Sequence, residues 1–228
     1  IREAGLPDTV YRTGVVLARI SDAKNALVRP AEAERAAMGD FDRHVAALYG
    51  KYQSALRRAG ALDFDDLIAE TVRLWLDQPD AGARWSRRFQ HVLVDEYQDT
   101  NHAQFRLVQY LGSVHHNVFV VGDDDQSIYG WRGADLANVL DFERTFPGAV
   151  TIRLEQNYRS TGNILAAANA VIAHNVARKG KTLWSEREAG ANLVFALTPD
   201  ETFEARRVRN WLERQQARGR RLQACAVR

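Results

Sequence analysis

Apolar residues fall at helical spacing from Asp40 onward: Phe41, Val45, Leu48, Tyr49, Tyr52 and Leu56 make one stripe. The stripe predicts a helix from Asp40 to about Arg58, broken by Gly60. A second stripe of Phe64, Leu67, Ile68, Thr71, Val72 and Trp75 predicts a helix capped by Asp63. After a third helix over about 80–89, the run Val92-Leu93-Val94 is short, wholly apolar and ends in Asp95-Glu96, the pattern of a buried strand. Another helix follows Thr100, with Phe105, Val108 and Leu111 inward, and then a strand over 117–121. Helices alternating with short apolar strands predict an α/β fold with a parallel sheet covered by helices.

Beyond this point the pattern predicts a helix over 136–146, a strand over 150–154, and a helix over 161–175 that buries Ile164, Leu165, Ala168, Val171 and Ile172. A strand over 192–197 precedes Thr198-Pro199-Asp200-Glu201, which has the form of a capping box with proline in the first turn. That helix turns Ala205, Val208, Trp211 and Leu212 inward and Arg206, Arg207, Arg209 and Arg214 outward, and a last strand begins over 224–227. The first 39 residues say less: a short helix over 19–25, then Pro30 and a polar turn.

The 228 residues suffice for one large or two small domains, and 46% apolar content suits a real core. With 31 Lys+Arg against 29 Asp+Glu the net charge is only +2, so any grip on nucleic acid must be local. The single cysteine, Cys225, excludes an internal disulfide framework and a cysteine metal site. The six histidines lack ligand spacing, and His115-His116 suits a loop. No apolar run of membrane-spanning length and no leader peptide occurs, which predicts a soluble cytoplasmic protein without membrane partners.

Chemistry concentrates where the strands end. In open α/β sheets ligands bind beyond the carboxyl ends of the strands, so Asp95 and Glu96 sit where a metal-bound nucleotide would. Asp95 is the candidate Mg²⁺ ligand and Glu96 the candidate general base; taken alone, the pair could equally cap a helix. The second strand ends in Gly122-Asp123-Asp124-Asp125-Gln126-Ser127-Ile128-Tyr129-Gly130-Trp131-Arg132-Gly133. Gln126 can reach a γ-phosphate or its water, and Tyr129 and Trp131 offer flat faces for bases of any identity. Arg132 can add a phosphate contact or stack on a base. The three consecutive aspartates lack the partners of a two-metal nuclease. A near match to a phosphate-binding loop, Asn175 to Thr182, has Asn175 where the first glycine belongs and follows a helix rather than a strand.

Three segments resemble superfamily 1A DNA helicases of the UvrD/Rep/PcrA type. Asp95-Glu96-Tyr97-Gln98-Asp99-Thr100 resembles their motif II at every position, the run from Gly122 to Ala134 resembles motif III, and Glu155-Gln156-Asn157-Tyr158-Arg159-Ser160 resembles motif IV. Leu62 to Ile68 is similar to the segment that returns from a helical accessory subdomain to the motor core.

The resemblance implies a RecA-like parallel sheet with helices on both faces, preceded by a helical accessory subdomain. Residues 1–62 would be accessory, 63–152 the second half of the first motor domain and 153–228 the first part of the second. ATP and Mg²⁺ would be the cofactors. Arg159 would act as an arginine finger and Tyr158 would stack on adenine, while Phe64, Tyr129, Trp131 and Arg132 would touch DNA; a core role for Phe64 remains open. The implied activity is 3′-to-5′ movement on single-stranded DNA, acting at single/double-strand junctions in the nucleoid. No G-x-x-x-x-G-K-[ST] loop occurs in the 228 residues, so the chain is expected to be a central piece of the motor, nearly inert in ATP hydrolysis alone. The other reading is a non-catalytic single-stranded-DNA-binding or regulatory module.

Overall fold

The computed structural model describes residues 1–176 and 178–227, with the side chains of Glu3 and Arg132 outside the description. It separates into two compact units: Ile1–Leu154 with Ile172–Lys181, and Glu155–Val171 with Thr182–Arg228.

The first unit opens with helices. Helices α1 (Thr13–Asn25), α2 (Pro30–Ala36) and α3 (Asp40–Arg58) enclose a core of Tyr11, Val16, Ile20, Val45, Leu48 and Tyr49. Helix α3 has the bounds its stripe predicts, whereas α1 begins six residues before the expected short helix. Helix α4 (Phe64–Asp77) starts at Asp63, whose side chain accepts from Asp66 N–H while the Asp66 side chain accepts from Asp63 N–H.

Its buried face departs from the apolar stripe, for Asp66, Ala69, Val72, Arg73 and Trp75 are buried while Phe64 and Leu67 are 89% and 54% exposed. Asp66 is a fully buried carboxylate. The ammonium of Lys24, itself fully buried, lies 2.9 Å from Asp66 and 2.6 Å from Asp63, and Gln53 donates to Asp66 at 3.2 Å. A carboxylate can be buried when a cation and hydrogen-bond donors meet it, and here those come from α1 and α3, far away in sequence. Burial alone would raise the Asp63 carboxyl, but Lys24, the Asp66 N–H and Tyr52 hold it below its ordinary value.

Helix α5 (Pro79–Arg88) leads into β1 (Val92–Val94), and α6 (His102–Gly112) crosses to β2 (Val118–Val120). The two strands are parallel, with Val92, Leu93 and Val94 beside Val118, Phe119 and Val120. Leu93 and Phe119 remain 74% and 61% exposed. The observed class is thus mixed helical with a small parallel strand pair.

The expected strands over 150–154, 192–197 and 224–227 do not form among the described residues, and 222–224 is a short 3-10 turn instead. An apolar alternation becomes a strand only where a neighbouring edge takes its N–H and C=O groups, and Val150, Ile152 and Leu154 stay 84%, 76% and 76% exposed with no such edge beside them. The helix expected over 136–146 is two short ones, α7 (Ala137–Leu140) and α8 (Phe142–Thr145), hinged at Asp141, which ends the first and starts the second.

In the second unit α9 (Gly162–Ile172) buries only Leu165 among its described residues, fewer than expected. Helix α10 (Glu201–Ala217) is capped by Asp200, which accepts from Phe203 N–H at 2.9 Å; the cap is not Thr198, two residues earlier. Aspartate is a stronger cap than threonine. The helix buries no residue, and Trp211, expected inward, is 51% exposed. No helix among the described residues is long and apolar enough to cross a membrane.

Candidate active site

The pairing of β1 and β2 continues one step past the strands: Val121 N–H donates to Val94 O at 2.8 Å and Tyr97 N–H donates to Val121 O at 3.0 Å. Asp95 and Glu96 are the two residues that bulge out between these bonds. Glu96 takes the left-handed conformation, φ 49°, uncommon for a residue with a side chain, and its N–H donates to Asp95 Oδ1 at 2.9 Å. The turn from Tyr97 to Asn101 holds that strain in place. Asp99 N–H and Thr100 N–H close a 3-10 turn onto Glu96 O and Tyr97 O, and Asn101 caps α6 in a reciprocal box with Gln104. Tyr97 and Gln98 are each only 1% exposed, so the turn is pinned while both carboxylates face solvent. Burial pushes the Tyr97 phenol up to about 12. Burial, and then the charge of Glu96, also raise the Asp99 carboxyl.

The loop after β2 lies against this turn. Asp123 N–H donates to Gln98 Oε1 at 2.9 Å, and Gln98 Nε2 donates to Glu96 Oε2 at 2.7 Å. Gln126 folds back, donating from Nε2 to Asp123 Oδ2 at 2.7 Å. Although the oxygens of Asp123, Asp124 and Asp125 lie within 4.8 Å of one another, basic residues meet them. Lys181 pairs with Asp123, Arg178 with Asp125 at 2.8 Å, and Lys179 N–H donates to Asp124 at 2.6 Å. Burial acts to raise Asp123, yet Lys181, Gln126 and the Asp125 N–H hold it below the ordinary carboxylate value. Asp123 and Asp125 are thus already paired with cations of the same unit and Asp124 is occupied by a backbone N–H, so the cluster is a poor fit for a divalent ion. Asp95 fits one better: it is exposed, one oxygen is oriented by the Glu96 N–H, and no cation pairs with it among the described residues. Lys181, within the run that nearly matches a phosphate-binding loop, thus helps hold the loop after β2; Ala177 of that run lies outside the described residues.

From Ser127 to Gly133 the chain arches outward, and Ala134, Asp135 and Asn138 return to Thr100 and Asn101. Ala134 bridges Asn101, Asp135 N–H donates to Thr100 O at 3.0 Å, and Asn138 Nδ2 donates to the same oxygen at 3.0 Å. On the arch the rings of Tyr129 and Trp131 lie 6.3 Å apart and Trp131 is 72% exposed. The Arg132 side chain lies outside the described residues. Phe64, on the first turn of α4, is a separate exposed ring.

In the second unit Gln156 bridges Trp184, and Asn157 Oδ1 accepts from the N–H groups of Arg159 and Ser160 at 3.0 and 2.8 Å. This turn holds Tyr158 77% exposed, and the Arg159 side chain is also exposed. Arg187 donates to Arg159 O at 2.6 Å.

The structure therefore brings Asp95, Glu96, Gln126, Tyr129 and Trp131 onto adjoining loops of one unit and sets Tyr158 and Arg159 on a turn of the other. Gln98, Asn101, Asn138 and Lys181, which do the holding, were missed. Gln98 carried a hint only by lying inside a recognised motif.

Two parallel strands joined by a crossover helix, with carboxylates at the end of the first and a polar loop at the end of the second, define an α/β protein of the kind that binds ligands at strand ends. Residues 7–147 match the UvrD/REP helicase N-terminal domain and residues 152–227 the UvrD-like helicase C-terminal domain. The chain belongs to the UvrD/REP helicase family. It is 43% identical over 221 residues to the ATP-dependent DNA helicase PcrA of Bacillus subtilis, covering 97% of this chain and 30% of the relative. It is 48% identical over 215 residues to UvrD1 of Mycobacterium bovis, covering 90% and 28%, and 46% identical over 205 residues to PcrA of Leuconostoc citreum, covering 90% and 27%. The chain thus spans less than a third of the length of these relatives.

Proposed function

We propose that this chain is the central part of an ATP-dependent DNA motor that moves 3′-to-5′ on single-stranded DNA and opens duplexes at single/double-strand junctions, working in the cytoplasm at the nucleoid. The observation that carries the reading is the placement of Asp95 and Glu96 at the end of β1, hydrogen-bonded through Gln98 to the loop that bears Gln126. On this reading residues 1–62 are a helical accessory part, 63–152 belong to a first RecA-like domain with helices on both faces of its sheet, and 153–228 open a second.

Asp95 would hold Mg²⁺, which supplies neutralising charge on the phosphates when bound with ATP. Glu96 would accept the proton of the attacking water, and Gln126, released from Asp123, would turn its amide to the γ-phosphate. Arg159 would meet the charge that develops on the transferring group, and Tyr158 would stack on adenine. Tyr129, Trp131, Arg132 and Phe64 would face DNA. The exposure of Trp131 and Phe64 supports that assignment, since stacking on bases needs ring surface that a partner can reach.

The test is ATP hydrolysis by the intact gene product, expected to weigh well over the 25.7 kDa of this chain, with and without single-stranded DNA. Mg²⁺-dependent, DNA-stimulated turnover is expected, and Glu96→Gln should lower kcat by about a hundredfold or more, the usual worth of a general base. DNA binding without any hydrolysis by the intact product would instead favour a non-catalytic binding module.

A further inference from the structure

Glu96 has one side-chain partner among the described residues, Gln98, and that partner is 1% exposed. The direction of the Gln98 amide is fixed by the bonds themselves. Asp123 N–H can only donate, so the amide oxygen must face it at 2.9 Å, and the amide nitrogen is thereby aimed at Glu96 Oε2 at 2.7 Å. Gln98 cannot swing away, because its backbone lies in the turn closed by Thr100 and its side chain fits against Gly122, where even a methyl group would sit 3.0 Å from Gln98 Oε1. Asp123 in turn accepts from Gln126 Nε2, so one continuous path runs Glu96, Gln98, Asp123, Gln126.

We propose that Gln98 is a positioning residue for hydrolysis. It holds the Glu96 carboxylate in one orientation and registers it against the loop that carries Gln126. This rests on the reading of Glu96 as general base given above. Glu96 needs such help because its backbone is strained at φ 49° and its side chain faces solvent, where an unrestrained carboxylate would sample several rotamers. Donation from an amide also leaves the carboxylate its charge and one free oxygen, as a base must have.

Two variants of the intact gene product separate positioning from propping. Gln98→Met keeps the volume and removes both bonds; Gln98→Glu keeps the volume and the acceptor for Asp123 N–H but replaces the donor to Glu96 with a like charge. Positioning predicts that both lower kcat for DNA-stimulated ATP hydrolysis by about 10- to 100-fold, as loss of an orienting partner commonly does. The KM for ATP should stay within about threefold, since binding is not what was removed. If Gln98→Glu turns over like the unsubstituted protein while only Gln98→Met is impaired, Gln98 merely supports the Asp123 loop and the proposal is overturned. A raised KM with unchanged kcat overturns it too. Should the unsubstituted protein itself fail to hydrolyse ATP, the general-base reading falls first and takes this one with it; normal hydrolysis with normal variants removes this one alone.

Discussion

The loops after β1 and β2 stand side by side and are built on opposite plans. From Tyr97 to Asn101 the first loop is buried at Tyr97, Gln98, Thr100 and Asn101, and it exposes only the two carboxylates that precede them. From Gln126 to Gly133 the second is mostly exposed among its described residues, with Ile128 at 71% and Trp131 at 72%, and hydrogen bonds tie down its ends. A group that must meet a reacting phosphate needs fixed geometry, whereas a ring that stacks on successive bases needs a free face and room to yield. The molecule concentrates its burial in the first loop and its open surface in the second.

If that contrast holds, the largest loss of stability should come from the anchor of the first loop. Tyr97 packs edge-on to Phe142 at 5.6 Å and is 1% exposed. Tyr97→Ala should cost about 3 kcal/mol, the low end for emptying a buried aromatic site, because the buried Tyr97 hydroxyl has no hydrogen-bond partner among the described residues and its removal recovers something. The urea midpoint of the chain measures this; a loss below about 1 kcal/mol would mean the turn is held by its hydrogen bonds alone.

How much of this was legible in the sequence depended on whether a feature was local. The bounds of α3, the Asp63 cap, β1, and the polar ends of both strands follow from spacing and side-chain type within a few residues. The burial of Asp66 was not legible, because what makes it tolerable is Lys24, 42 positions away. The pairing of Lys181 with Asp123 spans 58 positions and was no more legible. Val150, Ile152 and Leu154 alternate as a strand should, but alternation describes two faces and says nothing of whether an edge is present to pair with. At the site, the residues proposed to do chemistry were readable as motifs, and those that hold them were not. Gln98 and Asn138 act through contacts that exist only once the two loops meet.

A smaller effect is expected where the loops touch. A Cβ on Gly122 would lie 3.0 Å from Gln98 Oε1, 3.4 Å from Gln98 N and 3.4 Å from Tyr97 Cβ. The close contact falls on the Gln98 amide oxygen, which must give by a few tenths of an ångström while held by Asp123 N–H, so Gly122→Ala should destabilise by about 1 kcal/mol, the low end for overpacking. Because the strain falls on the bond from Asp123 N–H to Gln98, kcat should fall along with the urea midpoint. A variant with normal stability and normal kcat would show that the loops are not in register through this contact.

The smallest effect on stability belongs to the arch, and it is the sharpest test of the contrast. Trp131 is the largest exposed ring of the second loop, so Trp131→Ala should move the urea midpoint by no more than the equivalent of about 0.5 kcal/mol, as surface changes do. The same substitution should weaken binding of a single-stranded oligonucleotide to the intact gene product by about 1–3 kcal/mol, the worth of one stacked base, and weaken it alike for every base composition. Fluorescence anisotropy with oligo-dT and oligo-dA measures both the size and the indifference to sequence. A stability loss approaching that of Tyr97→Ala would place the ring among the supports of the fold and erase the distinction between the loops. Unchanged affinity with unchanged stability would keep the arch out of the fold's supports but assign its exposed surface to something other than DNA.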